Sequence, residues 1–521
     1  MKLDGPALLK RFSRAKSGRT NWEDLWQDIY DLVLPAREGF YEVTPGEERT
    51  EEIFDETALV SLAEFVSRIH QGVIPSHLMW FRLEPGPEVS DPQQRKELQA
   101  QLDDVGRFIW DAIVNSNFVN EAQEVLTDIA IGWSTLIVGD GYDGKLLNFK
   151  CVPQSHTFWD VGPNKEEDGV FRVREKVRIA DIKLIWSDAH ISDQLKGKVA
   201  GDPDATTNLV EASYRDWNEM RTPTYYYQIV AGEDKSLVID REETGLGARP
   251  YVTPRWSVAS GEVYGRGPLI SALPAIRTTN LVTEMILENS QMAISGLWQV
   301  DDDGTINVDN VEIVPGAVYA RSPDSRGLER ADSPSNFNVA DIVLSQQQEN
   351  IRKALFAENL GPLDQTPRSA TEINARMQNL AEQTSGPSGR LKVEWLDRML
   401  QRIVWLFTRA GILEMPMLDG RAVRVVAKSP LARAQKFEEI ERIRGFAGDV
   451  IGIVGPQQGQ LYIDQDALVD ELQQKWEVPQ GMVRSEGERE KMLESMAEAA
   501  EQQQQQQPAP GGLPAQAEIG Q

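Results

Sequence analysis

The sequence holds very little from which a reactive centre could be built. Its 521 residues include one cysteine, Cys151, and four histidines, His70, His77, His156 and His190. One cysteine supports neither a disulfide framework nor a thiolate metal site within a chain, and Cys151 reads as a small core residue beside Val152. No two histidines stand at metal-ligand spacing on a helix, and neither H-E-x-x-H nor G-x-S-x-G occurs. Long apolar runs are missing as well. No stretch approaches the ~18 residues needed to cross a bilayer, and Met1–Pro6 lacks a signal-peptide core. The expectation is a chain with no cofactor, no metal, no catalytic residues and no membrane partner.

Positive charge is the next shortage. There are 81 acidic against 54 basic residues, a net charge of −27. Gripping DNA without regard to sequence requires clustered Lys and Arg that displace counterions. No basic patch is visible, so most of the surface is expected to repel a polyanion. Dispersed acids such as Asp24, Asp55, Glu372 and Glu394 read as surface charge. Tryptophan, in contrast, is plentiful at 13, which marks a folded chain. The length predicts two to four structural units. The tail from about 496, with glutamines at 502–507, lacks the apolar residues that would offset ordering entropy.

Two motifs imitate chemistry. Gly139-x4-Gly144-Lys145 has the glycines and lysine of a phosphate loop, but Leu146 stands where Ser or Thr must hold Mg²⁺, and a strand pattern follows. It reads as a hairpin turn. Asp301-Asp302-Asp303-Gly304 imitates a calcium loop, yet with Gly304 sixth, Gln299 and Asn310 occupy positions that need carboxylates.

The patterning predicts an α+β, helix-rich chain. A T-x-x-E capping box at Thr20 and Glu23 opens a helix over 20–33, and helices follow at 55–71, 94–115 and 119–131. Residues 133–260 read as strands at 135–138, 146–152, 170–178, 224–230 and 237–240, with one helix at 181–196. A helix from 268 to about 293 carries Pro274, which is expected to kink it or delay its start. Short strands over 296–336 precede a thinly apolar helix at 339–358, one suited to packing between subunits. A Gly- and Pro-bounded loop, 361–367, leads to helices at 369–384 and 390–410. A strand at 423–427 and helices at 430–446 and 464–476 complete the pattern.

Five segments resemble, in order, the portal (head-to-tail connector) proteins of short-tailed tailed phages. They are Arg19–Pro35, then Ile53–Ala58 with Gly72–Pro75 and Trp80–Leu83, then Tyr264-Gly265-Arg266-Gly267-Pro268, then Ser369–Ile373, and finally Ser429–Gln435. The resemblance implies a portal fold: wing 1–267, stem helix 268–295, α/β clip 296–338, second stem helix 339–358, tunnel loop 359–368, wing helices and strand 369–428, crown 429–495 and flexible tail 496–521. It implies a homo-oligomeric ring, usually of twelve, at one capsid vertex of the virion, with the chain in the host cytoplasm during assembly. The ring would serve DNA packaging, retention and ejection, with no enzymatic activity. Implied partners are the terminase large subunit, the major capsid or scaffolding protein, a tail adaptor protein, and double-stranded DNA passing without sequence-specific binding. A tail or scaffold component of the virion is the alternative, and an ATP-driven packaging motor a further one. Gly361, Pro362, Leu363, Asp364 and Gln365 would lie in the tunnel loop. Arg352, Lys353 and Arg368 would flank it and offset the repulsion of DNA, unless they pair with acids such as Glu349 and Asp364.

Overall fold

The N-terminal helix begins well before the capping box at Thr20. In this computed structural model α1 spans Gly5–Val33, with Asp4 accepting from the Ala7 amide at 2.9 Å and proline in the first turn. An Asx cap followed by Pro satisfies free amides at no cost in lost bonds. Thr20 lies mid-helix with its hydroxyl turned back to the Lys16 carbonyl, and Glu23 pairs with Arg19 at 2.7 Å. Within a helix, T-x-x-E is simply two residues one turn apart.

The structure describes residues 2–37, 39–41, 49–162, 166–218, 223–295, 297–300, 328–331, 337–357, 385–414, 422–428 and 430–455, and short pieces at 461–464, 467–469, 471–472 and 492. They divide into two units, 1–433 and 434–521. In the first, α2 (Thr57–Val73), β1 (Phe81–Pro85), α3 (Pro92–Val114) and α4 (Phe118–Ile131) follow α1. A hairpin of β2 (Leu136–Asp140) and β3 (Leu147–Cys151) comes next. Its turn is left-handed at Asp143 and Gly144 (φ 54° and 81°), and no helix follows, so the phosphate-loop likeness ends there.

An antiparallel meander of β4 (Thr157–Val161), β5 (Glu167–Arg178), β6 (Thr206–Asp216), β7 (Thr224–Ala231) and β8 (Leu237–Thr244) builds the main sheet. The sequence pattern gives no sign of β4 or β6. Four consecutive residues of β4 are buried, and so are six of β6, so neither strand alternates. In place of one helix at 181–196 there are two short ones, α5 (Ile182–Ile185) and α6 (Asp193–Gly201). The N-terminal half of α1 lies on the meander through Leu8 and Ala15, which join Phe158, Phe171, Tyr214 and Val230 in one apolar cluster. Arg19 is buried there and donates to the carbonyls of Gln154, Ser155 and Thr157 at 2.7–3.1 Å, its guanidinium 3.7 Å from the Phe158 ring centroid.

β9 (Tyr251–Val252) pairs with β2. The chain then enters α7 (Pro268–Ser295), which runs through Pro274; at the seventh position that proline forfeits only one bond, to the Ile270 carbonyl. β10 (Leu297–Val300) and β11 (Leu328–Ala331) pair antiparallel, and α8 (Phe337–Ala354) returns beside α7. The calcium-loop imitation at 301–304 lies outside the described residues, as does the helix expected at 369–384. α9 (Ser385–Leu391), a π-helical turn (Lys392–Asp397) and α10 (Arg398–Arg409) bury Leu391, Trp395, Met399, Ile403 and Phe407. Gly411, at φ 70°, follows their end. β12 (Val423–Ala427) closes a two-stranded sheet with β1 across more than half the chain. α11 (Pro430–Val454) runs into the second unit.

Glu211 on β6 shows how the sheet holds charge. Burial would raise its carboxyl, but Arg174 at 2.9 Å, Arg172 and the Tyr227 hydroxyl hold it below the usual glutamate range. A lowered folded value contributes stability that is present above the unfolded value near 4.5 and is lost as pH falls through the folded one. Glu211→Gln leaves two buried guanidinium groups without their anion and is expected to destabilise the fold by about 3 kcal/mol at neutral pH. Its melting temperature should also fall less steeply than the parent's on acidification below pH 4.5. Thermal scans of both proteins across pH check this.

Candidate functional site: the α7–α8 pair and its roots

Two of the segments that carry the family resemblance, Ile53–Ala58 and Tyr264–Pro268, meet the α7–α8 pair, and Ser369–Ile373 lies outside the described residues. Tyr264-Gly265-Arg266-Gly267-Pro268 forms the root of α7. The Gly267 amide donates to the Ile131 carbonyl at 2.8 Å, the Trp256 amide to Gly132 at 2.8 Å, and the Arg266 amide to Ser257 at 2.7 Å. Here backbone lies directly on backbone. A Cβ on Gly265 would collide with the Gly132 carbonyl, and one on Gly267 with Ala130 and Ile131. Only glycine permits this approach. Beside it Tyr264 packs among Trp26, Trp133 and Trp159, and its hydroxyl accepts from the Trp159 amide at 3.0 Å.

The strap at 52–56 ties the two helices together. Asn280 on α7 accepts from the amides of Phe54 (2.7 Å) and Asp55 (3.2 Å) and donates to the Glu52 carbonyl at 2.9 Å. Gln348 on α8 donates to Asp55 at 2.7 Å. Arg277 on α7 pairs with Asp28 on α1.

The far end of α8 closes in a left-handed cap with an unusual occupant. Phe356 has φ 53°. Its amide donates to Lys353, and the Ala357 amide to Arg352 at 2.7 Å, the two bonds of a Schellman cap. Glycine normally takes that position. Here the Phe356 ring packs against Phe65 and Trp256, and Arg68 donates to its carbonyl. Ile351 and Leu355 are fully buried. The end of α8 therefore packs firmly inside its own subunit, which corrects the expectation of a weakly packed helix. From residue 340 to 350 the side chains of α8 are exposed or half-buried, with Ile342 70% exposed.

Of the expected channel residues, Lys353 pairs with Glu349 at 2.7 Å, one turn away. Arg352 is half-buried, and its carbonyl takes part in the cap. Gly361, Pro362, Leu363, Asp364, Gln365 and Arg368 lie outside the described residues. Among the described residues no group of three His, Cys, Asp or Glu is placed to hold a metal, and no helix is long and apolar enough to cross a membrane. Cys151 is half-buried, and its thiol, pushed up by burial and by Asp128, donates to Asp128 at 3.3 Å.

The glycine root gives a matched pair of substitutions. Gly267→Ala forces the contact with α4 apart and is expected to lower stability by about 3 kcal/mol or more. Gly18→Ala, at a helix-interior position whose Cβ meets nothing within 4 Å, is expected to raise it by about 1 kcal/mol. Urea denaturation of both variants checks the opposite signs.

Several known proteins are similar to this chain. A curated "Probable portal protein" of Bordetella phage BPP-1 is 21% identical over 471 residues, covering 86% of this chain and 83% of that protein. A "Portal protein" of Salmonella phage epsilon15 is 22% identical over 494 residues, covering 88% and 85%. Among solved structures, a chain of the virion of a native gene transfer agent particle aligns with TM-score 0.34 and 13% identity over 76% of this chain and 89% of that one. A chain from the neck of the native particle, computed with C12 symmetry, aligns with TM-score 0.36 and 12% identity over 80% and 91%. The family described as "Bacteriophage head to tail connecting protein" matches residues 6–483, nearly the whole sequence, and the chain belongs to that family.

Proposed function

We propose that the chain is a phage portal subunit, one member of a ring channel at a capsid vertex through which DNA is packaged, retained and ejected. The observation that carries this is the α7–α8 pair. Two helices joined at one end by the β10–β11 strands are rooted by glycines, strapped by Asn280 and Gln348, and capped at Phe356, yet they leave large apolar side chains uncovered. Leu281, Met285 and Leu287 on α7 are about half exposed, and Ile342 on α8 more so. A contiguous helix pair with apolar residues turned outward suits neighbouring copies around a closed ring. In this reading α7 and α8 are the stem, 296–338 the clip, 1–267 and 369–428 the wing, 429–495 the crown and 496–521 a flexible tail.

The ring would be twelvefold, as is usual in the family. Its partners would be the terminase large subunit, the capsid or scaffolding protein and a tail adaptor, and the subunits would assemble in the host cytoplasm. An acidic chain suits a channel that must pass DNA without holding it, because like charge weakens binding along the wall. The packaging-motor alternative loses its only motif, since Gly139–Lys145 is a hairpin turn. The protein is accordingly expected neither to hydrolyse ATP nor to cut DNA.

Two measurements test the assembly and the loop. Leu281→Glu combined with Ile342→Glu is expected to reduce rings to monomers in sedimentation at micromolar concentration, with the monomer still folded. Deleting 362–366 is expected to leave rings intact and to change packaging or retention of the genome. Loss of rings on that deletion would make the segment a structural corner, and rings that package normally would defeat both readings.

A further inference from the structure

The early start of α1 brings a set of basic residues onto one helix. Lys10, Arg11, Arg14, Lys16 and Arg19 stand in its first half with no acid among them, in a chain of net charge −27, while Lys2, before the helix, pairs with Asp240 at 2.8 Å. Acids dominate the second half of the same helix, at Glu23, Asp24, Asp28 and Asp31. This order runs against the helix dipole, which favours acids near the N-terminus and bases near the C-terminus. Helix stability does not account for it.

Two of the bases are structural. Arg19 is buried on carbonyls, and Arg11 is held by Asp160 and Asp168 at 2.5 Å. The others point outward. Lys10, Ser13, Arg14, Lys16, Ser17, Thr20 and Asn21 are all exposed. On a 3.6-residue helix they share one broad face. Lys10 and Lys16 make no ion pair among the described residues, and Arg14, 70% exposed, reaches Asp160 only by its tip at 3.0 Å. The face carries hydrogen-bond donors and no large apolar side chain.

The face continues into a groove of about 510 Å³ between α1, the end of β4 and the loop 261–266. Arg14, Gly18 and Asn21 line one side and Arg266 another. Arg266 lies over Trp22, 4.8 Å from the ring centroid, and pairs with Glu262. The two carboxylates here, Asp160 and Glu262, are each held by arginine, and Asp160 is almost wholly buried. Gly18 leaves open space at the centre of the face.

We propose that this face, Lys10, Arg14, Lys16 and Asn21 with Arg266, is a binding site for the phosphate backbone of duplex DNA, separate from the α7–α8 pair. The exposed helix face lacks the large aromatic or aliphatic anchors of protein interfaces, and the apolar lining, Trp22, Leu25, Trp159, Val161 and Val263, is confined to the groove beside it. Phosphate contacts need Lys and Arg with Ser, Thr and Asn donors, which it supplies. The acidic remainder of the chain confines such binding to this face. The choice of duplex DNA as the polyanion rests on the portal reading; the basic face does not.

The experiment uses the full-length protein in its assembled state and a short duplex DNA of random sequence, followed by fluorescence anisotropy from about 50 to about 200 mM salt. Three proteins are compared. One is the parent, one carries Lys10→Gln, Arg14→Gln and Lys16→Gln, and one carries the same charge change at the exposed Lys145, Lys183 and Lys196. The parent should bind with strong salt dependence. The α1 variant should bind at least tenfold more weakly at the lowest salt, with a log–log salt slope shallower by roughly 0.9 for each phosphate no longer neutralised. The control should match the parent. Equal weakening in the control, unaltered binding by the α1 variant, or no binding by the parent at low salt overturns the proposal. Mass photometry of the same samples keeps the two readings apart. A parent that binds DNA as a monomer removes the ring and leaves the site. An α1 variant that no longer assembles, beside a parent that binds no DNA, makes the face an interface between copies and removes the site.

Discussion

The close approach of Gly132, Gly265 and Gly267 governs the geometry of the first unit. At this point the end of α4, the loop after β9 and the first turn of α7 share backbone hydrogen bonds with no side chain between them. Peptide groups in such contact fix direction more tightly than interdigitated side chains, because neither rotamers nor side-chain volume can absorb a shift. The direction in which α7 leaves the end of α4 follows from that contact. The strap at Asn280 and Gln348 then sets α8 beside α7, and the cap at Phe356 fixes where α8 ends.

Buried arginines hold the remainder to this frame. Arg19 gathers three carbonyls beneath α1. Arg402 on α10 donates to the carbonyls of Val138 and Ala248, and its burial lowers it to about 10 despite Glu243. Arg255 grips Glu394 through two bonds, at 3.0 and 2.6 Å, joining the loop after β9 to the π-helical turn. A guanidinium offers five donors in a planar fork, so one side chain can satisfy carbonyls at a strand end that no ladder reaches. These bonds join segments more than a hundred residues apart.

Charge on this protein is divided by purpose. Within the meander, acids and bases are matched in buried pairs such as Glu167–Arg249 and Glu211–Arg174. The chain as a whole is acidic in excess. The N-terminal half of α1 departs from both patterns, carrying Lys10 and Lys16 without ion pairs among the described residues, beside the exposed Arg14. The net charge of −27 conceals it, because a sum over the chain erases where the charges stand.

Much of this protein is written locally. The lack of cysteine and histidine clusters, the failed phosphate loop, most helices from α2 to α4, and the strands at β1, β2, β5, β7 and β12 follow from composition, period and turn residues. The ordered segments from Arg19 to Gln435 carry the family. What stayed hidden depends on partners distant in sequence. β4 and β6 are covered on both faces and so show no alternation. The true start of α1 is set by Asp4 and Pro6, whereas the T-x-x-E at Thr20 copies a cap within a helix. The need for glycine at 265 and 267 appears only when Gly132 is seen against them, and Phe356 takes a glycine conformation because Phe65, Trp256 and Arg68 hold it there. Periodicity reports the water-facing side of an element; the identity of the backbone it touches is decided only when the chain has folded.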